Sequence, residues 1–104
     1  MIQNLSQLKK KLIAGAKFIV AEHCRIECVG QLRMIKVADT TGFYSIFPDE
    51  PDNKINYANN GKGSYLRWSK ASFWDFKDDG ICRLYSSDKE KTGEHLLLGI
   101  QVLN

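Results

Sequence analysis

The apolar positions near the amino terminus recur at the spacing of an amphipathic helix. Three leucines share one face at this spacing: Leu5, Leu8 and Leu12. Asn4 stands at the N-cap position and Gln7 follows three residues later, which resembles a capping box with amides in place of the usual hydroxyl and carboxylate. The pattern predicts a short helix over about 5–13, with its leucines turned toward a core.

After Gly15 the apolar residues change to the pattern of extended strands. The segments expected to be extended are 18–21, 29–37, 43–47, 65–68, 81–85 and 96–103. A turn signal at 39–42 predicts a hairpin over 31–47. A turn at 78–80 precedes the last two segments, which are expected to form a terminal hairpin with the polar loop 86–94.

The middle of the chain is interrupted by prolines, glycines and asparagines. The segment 54–57 is interpreted as a brief strand. The run 59–64 is expected to be a turn or loop, because glycine readily takes positive φ and asparagine tolerates it. A single helical turn capped by Ser69 or Ser72 is predicted to carry three apolar residues: Ala71, Phe73 and Trp74.

These elements together predict an α+β fold. A chain of 104 residues has room for one domain, which would span 1–104. One helix followed by short strands, with a turn roughly every 8–12 residues, predicts one N-terminal helix packed on a small, strongly bent antiparallel β-sheet or SH3-like barrel.

The positive charge is concentrated in the first third of the chain. Residues 1–36 carry seven Lys/Arg and two Glu, whereas 37–104 carry eight Lys/Arg and ten Asp/Glu. This basic part would attract a polyanion, or it is a solvated helix face with charged strand ends. Neither a run of ~20 apolar residues nor the continuous apolar segment of a signal peptide is present, so we expect a cytoplasmic protein with no membrane partner.

The cysteines and histidines do not have the spacing of a metal site. Cys24, Cys28 and Cys82 cannot all pair within one chain and are interpreted as free thiols in a reducing compartment. With His23 and His95 they supply five candidate zinc ligands, but not the two close pairs that a structural site uses. Cys82 lies in an apolar strand and is expected in the core. We expect no metal and no cofactor.

Three further patterns are weak indications of catalysis. His23 and Cys24 would face opposite sides of a continuing strand, so they are not expected to form a thiolate–imidazole pair. The run 61–64 lacks the upstream glycine of a phosphate-binding loop, since Asn56 occupies that position. The acidic clusters near 50 and 78 lie in polar loops, without the apolar surroundings that would separate their pKa values. An enzyme is therefore the second alternative function only, and no catalytic residue is assigned.

The aromatic residues are concentrated in one segment. Nine of the eleven lie between 43 and 76, and such a segment is either a core or a recognition surface. About two thirds of the nine are expected to be core, with five filling the centre of the sheet: Phe43, Phe47, Trp68, Phe73 and Phe76. The candidate binding residues come from the same segment: Asn59, Asn60, Lys62, Ser64, Tyr65, Arg67, Trp68 and Lys70.

The segments 42–51, 58–66 and 69–74 carry a resemblance. In these segments the chain resembles small uncharacterised proteins of Gram-positive gut bacteria and their mobile elements, and the resemblance extends over the chain from His23 onward. It implies a mobile-element or phage-associated context. It implies no activity, and no catalytic residue is carried over from it.

These patterns together favour a non-enzymatic binding module. We expect it to bind a protein partner, in the manner of an inhibitor or regulator. The first alternative is a nucleic-acid-binding domain that uses the basic residues of 1–36 with exposed aromatic residues nearby. The oligomeric state does not follow from the sequence.

Overall fold

An amphipathic helix, α1 (Leu5–Lys11), precedes the sheet in the computed structural model, which describes residues 1–69, 72–86 and 95–103. The predicted N-cap is confirmed, because the Gln7 amide donates to Asn4 Oδ1 at 2.9 Å. The Gln7 side chain accepts from the Gln3 amide rather than from Asn4. The helix ends at Lys11, two residues earlier than predicted.

Seven strands lie within the described residues: β1 (Lys17–His23), β2 (Leu32–Ala38), β3 (Gly42–Ile46), β4 (Ser64–Arg67), β5 (Ser72–Phe76), β6 (Cys82–Ser86) and β7 (His95–Leu103). Short 3₁₀ helices occupy Ile26–Cys28 and Lys54–Tyr57, and a turn with positive φ at Asn59 and Asn60 follows over Ala58–Gly61. The strands form one antiparallel sheet in the order β4-β3-β2-β1-β7-β6-β5. The predicted antiparallel sheet with an N-terminal helix is confirmed.

The connection between the two outermost strands requires the sheet to bend. Only residues 68–71 join β4 to β5, and such a link spans at most about 18 Å. The outer strands of a flat seven-stranded sheet would lie about 29 Å apart. The Trp74 indole N–H donates to the Trp68 carbonyl oxygen at 2.7 Å, which places β5 close to the end of β4. The sheet is therefore bent, so that β5 approaches the end of β4 although the two strands are not neighbours in the sheet order.

The hydrophobic core fills the concave side of this bend. Its buried members are Leu8, Leu12, Phe18, Val20, Ile35, Phe43, Trp68, Cys82 and Ile100. The Phe43 ring contacts Phe18 edge-on at 6.1 Å and Trp68 at 4.9 Å between centroids. Leu8 and Leu12 are fully buried, as predicted, and burial of each side chain favours folding by about 2–3 kcal/mol.

Two predicted elements are wrong. The segment Lys54–Tyr57 is a 3₁₀ helix rather than a strand, because the Asn53 side chain accepts from the Ile55 amide. The Asn56 side chain also binds both backbone groups of Phe47, which fixes this turn against the end of β3.

The second wrong element is the helical turn placed over 69–74. Ser72–Phe76 is strand β5, in which Trp74 and Phe76 lie opposite Leu84 and Cys82 of β6. Ala71, which the turn was predicted to carry, lies outside the described residues, as does most of the predicted loop 86–94.

The aromatic segment contributes less to the core than predicted. Three of its nine aromatic residues are buried, namely Phe43, Phe47 and Trp68. Phe73 and Phe76 are half-buried rather than fully enclosed, because β5 is the last strand of the sheet and has a neighbour on one side only. No helix among the described residues is both long and apolar enough to span a bilayer.

Candidate functional site

Only some of the candidate binding residues from the sequence lie together on the surface of the structure. Trp68 is wrong as a contact residue, because it is 3% exposed and its indole N–H donates to the Asp39 carbonyl oxygen at 2.7 Å. Lys70 lies outside the described residues. Lys62, Tyr65 and Arg67 lie together on the outer side of the sheet. They meet there a residue that the sequence analysis did not include, Tyr44.

Tyr44, Tyr65, Lys62 and Arg67 form a surface that we call the tyrosine face. Tyr44 of β3 and Tyr65 of β4 occupy paired register positions, and their rings contact each other in a tilted arrangement with centroids 4.7 Å apart and an angle of 38°. Lys62 Nζ lies 5.4 Å from the centroid of the Tyr44 ring. Arg67, on the same side of β4 as Tyr65, is exposed. The tyrosine face therefore combines an ordered aromatic pair with two cations.

Strand alternation and one glycine produce this arrangement. Phe43 and Ser45 point into the core, so Tyr44 between them points outward. Gly42 is required beside it, because a Cβ there would lie 2.2 Å from the Leu66 carbonyl oxygen and 2.9 Å from Tyr65 Cε1. The Tyr65 ring thus packs over a residue that has no side chain.

A chain of polar contacts fixes the outer end of Tyr65. Its hydroxyl lies 3.1 Å from Thr41 Oγ1, and the Thr41 hydroxyl donates to Asp39 Oδ1 at 2.8 Å. Hydrogen bonds from the Thr41 side chain and from the backbone amides of Thr41 and Gly42 hold the pKa of the Asp39 carboxyl below its usual value. Tyr65 is therefore ordered from both its ring and its hydroxyl.

The turn before β4 positions Lys62. Asn59 and Asn60 have φ values of 55° and 60°, which confirms the predicted positive-φ turn. The Asn59 side chain donates to the Gly63 carbonyl oxygen at 2.7 Å, and the Gly63 amide donates to Ala58 at 2.9 Å. Gly63 has φ +98°, and a Cβ there would lie 2.1 Å from the Ser45 carbonyl oxygen. The two asparagines therefore shape the turn, and Lys62 is its cation.

A second polar cluster lies on the outer side of β1, β7 and β6. Arg83 donates to Glu22 through two nitrogens and to Asp79 at 2.6 Å. The hydrogen bonds from Arg83 hold the pKa of both carboxyls below their usual values, and that of Arg83 is raised. The negative charges of the two carboxylates thus compensate the positive charge of the Arg83 guanidinium. We interpret the cluster as a structural link between β1 and β6.

Arg33 has a different environment, without an ion-pair partner among the described residues. Its guanidinium carbon lies 4.2 Å from the centroid of the Phe47 ring, and Nη2 donates to the Ser45 carbonyl oxygen at 3.2 Å. Nε is buried and without a hydrogen-bond partner. Burial lowers the pKa of this guanidinium. The charge is therefore held at a cost in free energy.

The cysteines and His23 form one contact that the sequence analysis did not expect. Cys24 Sγ lies 3.6 Å from His23 Nδ1, because β1 ends at His23 and strand alternation no longer separates the two. The same nitrogen accepts from the Arg25 amide at 2.9 Å. All three cysteines are free, and Cys82 is buried in the core as predicted. Within the described ranges, no three His, Cys, Asp or Glu side chains are grouped closely enough to hold a metal ion.

The basic residues of 1–36 lie on several elements. Lys9 covers the buried Trp68 ring, with Nζ 5.6 Å from its centroid. Lys10 and Lys11 line an open cavity of about 480 Å³ between α1 and the end of β7, together with Gln7 and Gln101. Lys17 is on β1 and Arg25 follows that strand. These cations therefore belong to different parts of the surface.

Comparison with known proteins adds no identification. No family model, curated protein or solved structure matches the chain. The class that the fold defines is a small antiparallel β protein with one N-terminal helix, and the case for function rests on the tyrosine face and its surroundings.

Proposed function

We propose that the protein is a non-enzymatic binding module that binds a protein partner through the tyrosine face. The observation that carries the proposal is the contacting Tyr44–Tyr65 pair on the outer side of the sheet, with Lys62 against it and Arg67 beside it. Tyrosine and arginine are the residue types that most often anchor protein interfaces. Because both rings are already ordered, a partner loses little entropy by fixing them.

The arrangement of the Tyr44 and Tyr65 rings favours a protein over a nucleic acid as the partner at this surface. Base binding uses an open aromatic face on which the base stacks. Here the tilted rings of Tyr44 and Tyr65 contact each other, and Lys62 lies over Tyr44. Ring edges and hydroxyl groups remain for a partner, and they suit hydrogen bonds and apolar side chains.

A nucleic acid is the second candidate partner, and a specific observation supports it. The +5 balance of residues 1–36 includes Lys10 and Lys11, which both line the cavity between α1 and the end of β7. Such a surface would bind phosphates without sequence specificity. The tyrosine face would then have no part in binding.

The setting and the finer fold are also proposals. We propose that the bent sheet belongs to the SH3-like class of small barrels, which the approach of β5 to the end of β4 supports. The mobile-element context implied by the resemblance suits an inhibitor or regulator of a host or phage-defence protein.

Affinity capture tests the class of partner. The tagged protein is incubated with lysate of a Gram-positive gut bacterium, before and after nuclease digestion, and bound proteins are identified by mass spectrometry. We expect one protein to be retained after digestion. In parallel, random single- and double-stranded oligonucleotides are titrated at ~50 and ~200 mM salt, over which phosphate-dominated affinity collapses. Capture that disappears with nuclease, together with oligonucleotide binding that weakens steeply with salt, would replace the protein partner by the nucleic-acid alternative.

A further inference from the structure

β4 presents unpaired backbone groups on the side away from β3. Trp68 N donates to the Thr41 carbonyl oxygen at 3.2 Å, which marks this pair as a hydrogen-bonding position of the β3–β4 ladder. Because backbone groups alternate in direction along an antiparallel strand, the N–H and C=O groups of Leu66 also point toward β3. The backbone N–H and C=O groups of Tyr65 and Arg67 point away from β3.

The same alternation is visible at the start of the strand. The backbone groups of Gly63 also point away from β3. Its N–H donates to the Ala58 carbonyl oxygen, and its carbonyl oxygen accepts from the Asn59 side chain. No described residue supplies equivalent partners for Tyr65 and Arg67, and the sheet order gives β4 no neighbour other than β3. The turn therefore supplies hydrogen-bond partners at the Gly63 end of this edge, and the backbone groups of Tyr65 and Arg67 remain open to a partner.

We propose that a partner adds an extended, acidic segment as a further strand along the open edge of β4. This rests on the proposed function and specifies how the partner binds. The Tyr65 and Arg67 backbone groups would form the ladder hydrogen bonds, as in other complexes formed by strand addition. The tyrosine face, on the outer side of the same strand, would contact alternate side chains of the segment.

The charges of the edge select the occupant. Lys62 and Arg67, both exposed, lie near the two ends of β4. Lys62 interacts electrostatically with Asp39, but the Asp39 carboxylate already accepts hydrogen bonds from Thr41 and Gly42. A segment carrying glutamate or aspartate would therefore complement the edge. A second copy of the chain would bring the same two cations against each other, which disfavours self-pairing.

The test uses the full chain and a library of short linear random peptides displayed on phage. We expect the selected peptides to be enriched in Asp and Glu. The best peptide is then synthesised and titrated calorimetrically into the wild type, Arg67→Ala and Arg67→Pro. Both substitutions remove the guanidinium, but only proline removes the outward N–H, which an edge strand tolerates at such a position. Arg67→Pro should bind about tenfold or more weakly than Arg67→Ala.

A control on the ligand makes the test independent of how well Arg67→Pro folds. N-methylation of alternate residues of the peptide removes its backbone donors on one side and retains its side chains. Methylation on the side facing β4 should weaken binding to the wild type by about tenfold or more, and methylation on the other side should not. In the free protein, the Tyr65 and Arg67 amides should exchange with solvent much faster than those of Leu66 and Trp68.

Several results would overturn the proposal. The first is that the selection recovers no peptide, or only peptides that are not enriched in acidic residues. The second is that the alanine and proline variants bind the peptide with equal affinity and the wild type tolerates both methylation patterns. The third is that the wild type sediments as a dimer, which Arg67→Pro dissociates. The proposed function fails separately, if nuclease-treated lysate yields no captured protein. A captured partner whose affinity falls equally in Arg67→Ala and Arg67→Pro would retain the proposed function and exclude strand addition.

Discussion

Arg83 and Glu22 form a bidentate ion pair across β7, with Nε–Oε1 at 2.8 Å and Nη2–Oε2 at 2.9 Å. The residue between them in the register is Gly99, which pairs with Glu22 on one side and Arg83 on the other. A Cβ at Gly99 would lie 3.2 Å from Glu22 Cβ and 3.4 Å from Arg83 Cγ. The glycine therefore leaves the gap through which the two side chains meet and tie three strands together.

The ion pair predicts a dependence of stability on acid. The pKa values of Glu22 and Asp79 are held below 4.5 and 3.8 by Arg83. A carboxyl with a lowered folded-state pKa stabilises above its unfolded value and loses this contribution as pH falls through the folded value. We expect urea titrations to show stability falling as pH drops below about 4.5, and falling less steeply in Glu22→Gln. Identical pH profiles would show that the pair contributes nothing measurable.

The helix is predicted to be part of the core. Leu8→Ala should lower the free energy of unfolding by about 2–4 kcal/mol, because it leaves a cavity beneath α1. Ile13→Ala is the matched control, since Ile13 follows the same helix but is 59% exposed, and a change below about 0.5 kcal/mol is expected there. Equal effects in the two variants would mean that α1 does not pack as described.

The two partly enclosed arginines should respond oppositely to the same substitution. Arg33→Met replaces a guanidinium that lacks an ion-pair partner among the described residues, and methionine also packs well against the Phe47 ring. We expect it to raise stability by about 1 kcal/mol. Arg83→Met removes the guanidinium that both Glu22 and Asp79 bind, and should lower stability. Chemical denaturation of both variants gives the signs, and a stability loss in Arg33→Met would contradict the account.

The three thiols are expected to react in the order of their exposure. Iodoacetamide should modify exposed Cys24 first, then half-buried Cys28, and Cys82 only as fast as the protein unfolds. Burial raises the pKa of Cys82 from 9.0 to about 11. A raised folded-state pKa gives stability below pH 9.0 that is lost as pH rises toward 11. Cys82→Ala should lack this loss, and rapid alkylation of Cys82 in the native protein would show that the core is open.

The sequence predicted those parts of the fold that depend on local signals. The Asn4 cap, the leucine stripe and the turn at 39–42 need only neighbouring residues, and all three are confirmed. The helical turn predicted over 69–74 was wrong, because a short apolar run fits either a helical turn or a strand. Its pairing with β6, on the other side of a turn, decides the structure.

The candidate site was half predicted. Lys62, Tyr65 and Arg67 were identified from composition, whereas Tyr44 was missed, although the alternation of Phe43, Tyr44 and Ser45 carries the signal that it points outward. Which tyrosine meets which depends on the register between β3 and β4. That register is set by the tertiary packing of the segment between them, which no local pattern determines.

The measurement that tests the central claim most directly is the affinity of the captured partner for the wild type, Arg67→Glu and Arg25→Glu. Both substitutions reverse an exposed charge, but Arg67 belongs to the tyrosine face and Arg25 follows β1. Arg67→Glu should weaken binding by about tenfold or more while Arg25→Glu changes it little, with equal thermal stability in all three proteins. Equal affinities for Arg67→Glu and the wild type would show that the tyrosine face is not the binding surface.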